Sequence, residues 1–310
     1  MKNWGWGILV GAISCAALGG CALQTGESTD GTELVASTGD ALIGGWASGP
    51  FQWAQGQPAL ALESANTHVC VLSGVSGHFA GTGEMVKVTI GANNTWVLDG
   101  FSQQSGVSGE AICFPKAGFT GNSSAHLNSD EAIAGAFSRG KHSPGGGCQQ
   151  GQAALGVGSD FAFVEGMQGE MAGAGEFSAA LQSPSQNTES LLRAQICTAG
   201  IFQTFGRFLR VNRVFTMPAQ FVGSGGLTGD VNAVPEFSIG GNLASDGVVM
   251  APTDRAMCAL TQVTGKFFGG GESVRIRAAG GVWVMMTAKG AGSNFVAAKA
   301  RCFARNQLNP

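Results

Sequence analysis

The chain predicts an all-β protein built from three tandem small antiparallel β modules, an internal repeat of about 92–95 residues, each module closed by one disulfide. Three observations carry that expectation: one phrase occurs three times, apolar residues alternate with period two, and cysteines return at matching places. The phrase reads Leu72-Ser-Gly-Val75-Ser-Gly77-His-Phe79-Ala-Gly81-Thr-Gly83-Glu84 in its first copy. The second is Val164-Glu-Gly-Met167-Gln-Gly169-Glu-Met171-Ala-Gly173-Ala-Gly175-Glu176, and the third Leu260-Thr-Gln-Val263-Thr-Gly265-Lys-Phe267-Phe-Gly269-Gly-Gly271-Glu272. They align without a gap, with apolar residues at the first, fourth and eighth positions, glycine at the sixth, tenth and twelfth, and a closing glutamate.

The likeness extends well outside the phrase. Gln55-Gly-Gln-Pro-Ala-Leu-Ala-Leu62 returns as Gln150-Gly-Gln-Ala-Ala-Leu-Gly-Val157, and Trp96-Val-Leu98 matches Trp283-Val-Met285. Reading Cys113, Cys197 and Cys302 as the closing cysteines gives modules at 40–116, 131–199 and 236–305. Inside them His68–Leu72, Met85–Ile90, Trp96–Leu98 and Glu110–Phe114 are short β-branched or aromatic runs between Gly, Asn, Asp and Ser clusters, the pattern of strands. Ser273-Val-Arg-Ile-Arg-Ala278 alternates most cleanly, with Val274 and Ile276 expected inward and Arg275 and Arg277 outward. One wet face implies antiparallel pairing, about six strands to a module. The Gly-x-Gly-Glu turn reads as a hairpin connection. Asn128–Phe137 and Glu189–Ile196 are the two helix-like stretches.

At the amino terminus, Met1-Lys2-Asn3 precedes an apolar run from Ile8 to Leu18, which is the layout of a signal peptide and too short to span a bilayer. Leu18-Gly19-Gly20-Cys21 follows, and this resembles the lipobox of bacterial lipoproteins. The resemblance implies removal of residues 1–20, a diglyceride on the Cys21 sulfur, and an acyl chain such as palmitate on its amino group. Ala22 stands where an aspartate would retain a lipoprotein at the inner membrane, so the implied address is the outer membrane. The other reading of this leader is an ordinary secreted protein cut near Ala17. Residues 21–39, rich in Thr, Ser, Gly and acids, read as a flexible lipidated tether.

Only 12% of residues are charged, 51 are glycine and 44% are hydrophobic, which places the chain with turn-rich globular proteins rather than disordered ones. Of eight cysteines, Cys15 would leave with the signal and Cys21 take the lipid, leaving six in an oxidising compartment. The repeat pairs Cys70 with Cys113 and Cys258 with Cys302. The second module has Ala162 where the first cysteine belongs but gains Cys148, so Cys148–Cys197 completes the set.

Glu84, Glu176 and Glu272 are the candidate binding residues, three equivalent carboxylates beside turns that could accept bonds from sugar hydroxyls or ligate calcium. Calcium wants six to eight oxygens, and each glutamate stands almost alone in sequence. The structural reading has each carboxylate cap its own turn or pair with Lys87 or Arg275. No nucleophile elbow, zinc helix or phosphate loop is present, the four histidines are not spaced as ligands, and no cofactor is expected. Phe205–Phe215 mixes arginine with aromatics, a pattern that could serve nucleic acid or acidic polysaccharide, though a solvated strand edge accounts for it as well and nucleic acid is not the expected partner. Two function classes follow. One is a non-catalytic, ligand-binding or adhesive lipoprotein at the cell envelope, meeting a glycan or envelope polymer. The other is an assembly lipoprotein docking on another envelope protein; a secreted hydrolase ranks below both.

Overall fold

Alternation decides where strands form, and what they pair with follows from the repeat. A computed structural model describes residues 42–81, 83–103, 106–119, 125–127, 132–138, 149–157, 161–169, 177–182, 189–196, 200–211, 236–239, 247–268, 271–290 and 296–304. Among these there is no α-helix, and every ladder is antiparallel, as the sequence predicts. The first unit supplies β1 (Ser48–Ala54), β2 (Leu60–Ser64), β3 (His68–Ser76), β4 (Met85–Ile90), β5 (Thr95–Phe101) and β6 (Ser108–Pro115). After a short β7 (Ala125–Leu127), the second supplies β8 (Ala132–Ser138), β9 (Gln149–Val157), β10 (Phe161–Gly169), β11 (Phe177–Gln182), β12 (Glu189–Ile196) and β13 (Gly200–Val211). The third supplies β14 (Glu236–Ile239), β15 (Val248–Pro252), β16 (Ala256–Gly265), β17 (Ser273–Ala279), β18 (Val282–Ala288) and β19 (Val296–Ala304).

These strands make three sheets, and no sheet belongs to one unit. The first runs β1-β6-β3-β17-β18-β15; the second β2-β5-β4-β10-β13, with β7 and β8 both on β13; the third β14-β19-β16-β11-β12-β9. The rule is the same each time. A unit's first, third and sixth strands lie in one sheet, its second, fourth and fifth in another, and its third strand pairs with the fourth strand of a different unit. The pairings β3·β17, β10·β4 and β16·β11 therefore close a ring of three, and the modules share their sheets instead of each owning one.

That topology explains the phrase. Its glycine-rich end is a crossover between sheets, not the hairpin the sequence suggests, because β3 and β4 bond to other strands and never to each other. Sixth-position glycines Gly77, Gly169 and Gly265 have φ of 110°, 129° and 142°, where only glycine is at ease. A Cβ on Gly77 would lie 2.2 Å from the Gly106 carbonyl oxygen. The Gly77 N–H donates to the Glu272 carbonyl at 3.2 Å and that of Gly169 to the Glu84 carbonyl at 2.8 Å, so one copy of the phrase holds the end of another. At the second position all three strands bulge: the register shifts between Leu72 and Gly74, Val164 and Gly166, and Leu260 and Gln262. A bulge kept in three copies is a built-in bend.

Other expectations are corrected by pairing. Glu189–Ile196 is strand β12, held between β9 and β11, and Ala132–Ser138 is strand β8 on β13; both helix-like stretches yield to ladders supplied from elsewhere in the chain. The strand standing where β6 stands in the first unit is β13, so the second unit continues past residue 199. Its partner for Ala162 is Phe208, in the place held by the Cys70–Cys113 pair. Cys197 follows β12 and thus belongs to a different position from Cys113, although the sequence aligns them.

Two disulfides, Cys70–Cys113 and Cys258–Cys302, join directly opposed residues of β3 with β6 and β16 with β19, as the repeat predicts. Cys148, Cys197, Glu176 and everything before residue 42 lie outside the described residues. Among the described residues one apolar core draws on all three units. Phe79 and Phe267 meet edge to face at 6.0 Å, and Trp96 and Trp283 each donate an indole N–H to the carbonyl two residues before a bridged cysteine, His68 at 2.9 Å and Ala256 at 2.7 Å.

Candidate functional site

Two of the three glutamates that the repeat singles out, Glu84 and Glu272, are interior groups. Glu84 is 3% exposed and Glu272 fully buried, so neither offers its carboxylate to a glycan or calcium ion arriving from solvent. Glu84 folds back over its own turn, its Oε2 only 2.6 Å from where a Cβ on Gly81 would sit, and the Glu272 carboxylate lies equally close against Gly290. Of the partners expected for them, Arg275 reaches Glu110 and Lys87 lies over the Phe205 ring.

The basic stretch Phe205–Phe215 is also turned partly inward. Arg207 is 2% exposed, its Nε donating at 2.5 Å to Glu165, which is fully buried, while the guanidinium carbon lies 5.6 Å from the Trp96 ring centre. Glu165 is the bulge residue of its copy, where Ser73 and Thr261 stand in the others. This arginine is committed to the core.

One cluster has the residue types of hydrolytic chemistry without the arrangement. Ser48 donates to Glu63 at 3.0 Å, the Glu63 carboxylate stands 3.9 Å from His68 Nδ1, and the same Nδ1 is 2.9 Å from the Thr67 hydroxyl. A nucleophilic serine needs the imidazole as its base. Here it is bonded to the carboxylate, so the histidine is not placed to take its proton.

The arrangement that does face outward was not singled out by sequence. On the first sheet, Arg275 and Arg277 of β17 converge on Glu110 of β6 across the intervening β3. Arg277 grips the carboxylate side-on, Nη2 to Oε1 at 2.7 Å and Nε to Oε2 at 3.3 Å, while Arg275 Nε stands 3.1 Å from the same Oε1. Gly74 makes this reach possible: it lies between the two strands, and a Cβ there would meet Glu110 Cβ at 3.1 Å and Arg275 Cγ at 3.2 Å. The Glu110 side chain is 6% exposed, those of Arg275 and Arg277 34% and 38%.

No protein-family model matches the chain, and neither a curated protein nor a solved structure matches it significantly. What the cluster means must come from its own geometry and from its counterparts in the ring. Where Gly74 faces Arg275, Gly166 faces Lys87, and Lys87 passes over that glycine to sit 4.3 Å from the centre of the Phe205 ring. In the third sheet Gln262 faces Ala180, a larger residue opposite a small one. The strand junction is thus satisfied in three different ways, and two arginines on one carboxylate are not something the fold demands.

Alternating pattern did foretell that Arg275 and Arg277 would point outward, with Val274 and Ile276 fully buried behind them. Nothing local foretold Glu110, 167 residues distant from Arg277. The available signal was an acid inside the apolar strand Glu110-Ala-Ile-Cys-Phe114.

Proposed function

We propose that this is an exported lipoprotein, anchored through Cys21 in the bacterial outer membrane, whose ring of β units is a non-catalytic binding or adhesive body at the cell envelope. The observation that carries export is the pair of cross-strand disulfides, since such bonds persist in oxidising compartments outside the cytosol. The Leu18-Gly19-Gly20-Cys21 sequence supplies the anchor. Binding rests on the scaffold: three sheets locked to one another present fixed surface side chains, and a fixed site spends less of its affinity on ordering itself. The tether of residues 21–39 would let that body meet polymers or proteins of the envelope.

Two measurements test this. Cys21→Ser should abolish lipid labelling and release the chain from the membrane fraction; a variant that still labels overturns the anchor. The full-length chain in nonionic detergent, probed on an array of glycans and envelope polymers, should give saturable binding. Silence across the array together with a stoichiometric envelope protein in cross-linked membranes would favour the assembly reading instead.

A further inference from the structure

Resting on the binding reading, we propose that the Arg275–Arg277 face of the first sheet holds an acidic polysaccharide through the carboxylates of its uronic sugars. The charge count comes first. Two guanidiniums share the single carboxylate of Glu110, and no other acid pairs with either among the described residues, so one positive charge is left over at an exposed surface. Donor capacity points the same way. A guanidinium carries five N–H groups; Arg277 spends one edge on Glu110, and the remaining donors of both residues have no partner among the described residues. Guanidinium and carboxylate match in plane and spacing, so a second carboxylate fits where the first leaves donors unused.

Placement matters as much as charge. A nearly buried acid holds both arginines in position, so much of the side-chain entropy that a free surface arginine would lose on binding is already lost. The arrangement needs Gly74 in β3, Glu110 in β6 and both arginines in β17, and it occurs at one of the three equivalent junctions. At the other two, the cation is turned onto an aromatic ring or the residue opposite is alanine. Lys87 and Phe205 give the second sheet a satisfied pair, whereas the first sheet keeps an excess of donors.

Beside the arginines the face turns apolar. Met286 is opposite Arg275 and Val284 opposite Arg277, both half-buried, and Val249, opposite Val284 on the edge strand β15, is 55% exposed. On the other side Gln52 is opposite Glu110 and exposed. A strip of methyl and thioether groups next to paired guanidiniums suits a chain of sugars, whose rings have apolar C–H faces and whose uronate groups are planar anions. Among the described residues this face carries no exposed aromatic ring on which a nucleobase would stack.

The test uses the full-length chain in nonionic detergent on sensors coated with polygalacturonate, neutral dextran or polyphosphate. Wild type should bind polygalacturonate and not dextran, and binding should weaken as salt rises from about 0.05 to about 0.5 M. Arg275→Ala and Arg277→Ala should each weaken it about tenfold. Arg277→Lys keeps the charge but not the planar fork, and should also lose affinity. Arg255→Ala, which removes a charge from an exposed turn elsewhere, should leave binding unchanged. Each variant is accepted only if its melting transition and both disulfides are intact; Arg277→Lys is the substitution least able to disturb the fold. Polygalacturonate binding that ignores Arg275 and Arg277, or a preference for polyphosphate, overturns this proposal and leaves the general binding reading standing. Silence with these three probes overturns this proposal, and silence across the wider array removes the general reading with it.

Discussion

Replacing Arg207 by isoleucine should destabilise the protein by several kcal/mol, and the repeat itself supplies the compensating change. Arg207 and Glu165 form an ion pair from which water is almost wholly excluded, with side chains 3% and 0% exposed. Removing one partner of such a pair costs about 3–5 kcal/mol, because the remaining charge stays in a low-dielectric interior. With a urea m-value of roughly 3 kcal/mol/M for a chain of this size, the midpoint should fall by roughly 1–1.7 M. The first unit has Ile112 opposite Val71 where the second has Arg207 opposite Phe163, and Ser73 where the second has Glu165. The double substitution Glu165→Ser with Arg207→Ile therefore transplants an arrangement that the fold already uses, and should recover most of the loss. Glu165→Thr alone leaves the Arg207 charge in the interior, where the third unit's Arg301 is only half-buried, and should cost as much as Arg207→Ile. Equilibrium urea unfolding followed by tryptophan fluorescence, with disulfides intact, measures all three. A cost for Arg207→Ile below about 1 kcal/mol, or a double variant no better than the single, refutes the claim that the Glu165 charge left behind in the interior is what destabilises.

Gly77→Ala forces a side chain onto a backbone at φ 110° and into the Gly106 carbonyl, and should lower stability by at least about 2 kcal/mol in the same unfolding assay. Non-reducing peptide mapping should find Cys148 joined to Cys197: the β9·β12 ladder ends at the pair Gln149 and Ile196, their chain neighbours, and a Cys113–Cys148 peptide would sink the assignment. Ala162→Cys with Phe208→Cys should add a further bridge at the place the other two units use, read as a mass loss of two hydrogens in the non-reduced protein. Residues 40–119 made alone should not give a folded monomer, since β3 and β4 would each lose a partner from another unit; sedimentation showing a monomer with a cooperative melt would contradict strand sharing.

The sequence made the strands legible because their signal is local. Alternation at Ser273–Ala278 placed Val274 and Ile276 inside, and opposed cysteines at equal spacing gave two bridges that the register explains. The sheets were not legible, because each is closed by pairing between units about 80 residues or more apart, as with Gly166 and Lys87 or Gly74 and Arg275. Without that knowledge the glycine-rich turn reads as a hairpin and Glu189–Ile196 as a helix. The recurrence of Glu84 and Glu272 marks an interior position in both copies, with Glu84 folded over its own turn as the structural reading has it. The outward cluster escaped notice because it occurs once, and its acid and its bases are brought together only by the ring.

Ring closure has a consequence for how such a protein can change. An open array can gain or lose a unit at its end and still bury its interfaces. Here every unit completes two sheets, so deleting one leaves β-strand edges bare on both of its neighbours, and with β3·β17, β10·β4 and β16·β11 all formed a fourth unit has no open junction to join. The number three is fixed by geometry, and variation must take the form of divergence within units. Each junction then becomes a private contact: glycine under arginine with a glutamate beyond, glycine under lysine with a phenylalanine beyond, glutamine against alanine. Exchanging the units' order would set lysine against glutamine, alanine against Gly74 and arginine against Gly166, away from Glu110, so the same differences that could give one face a ligand also prescribe the order in which the ring is assembled.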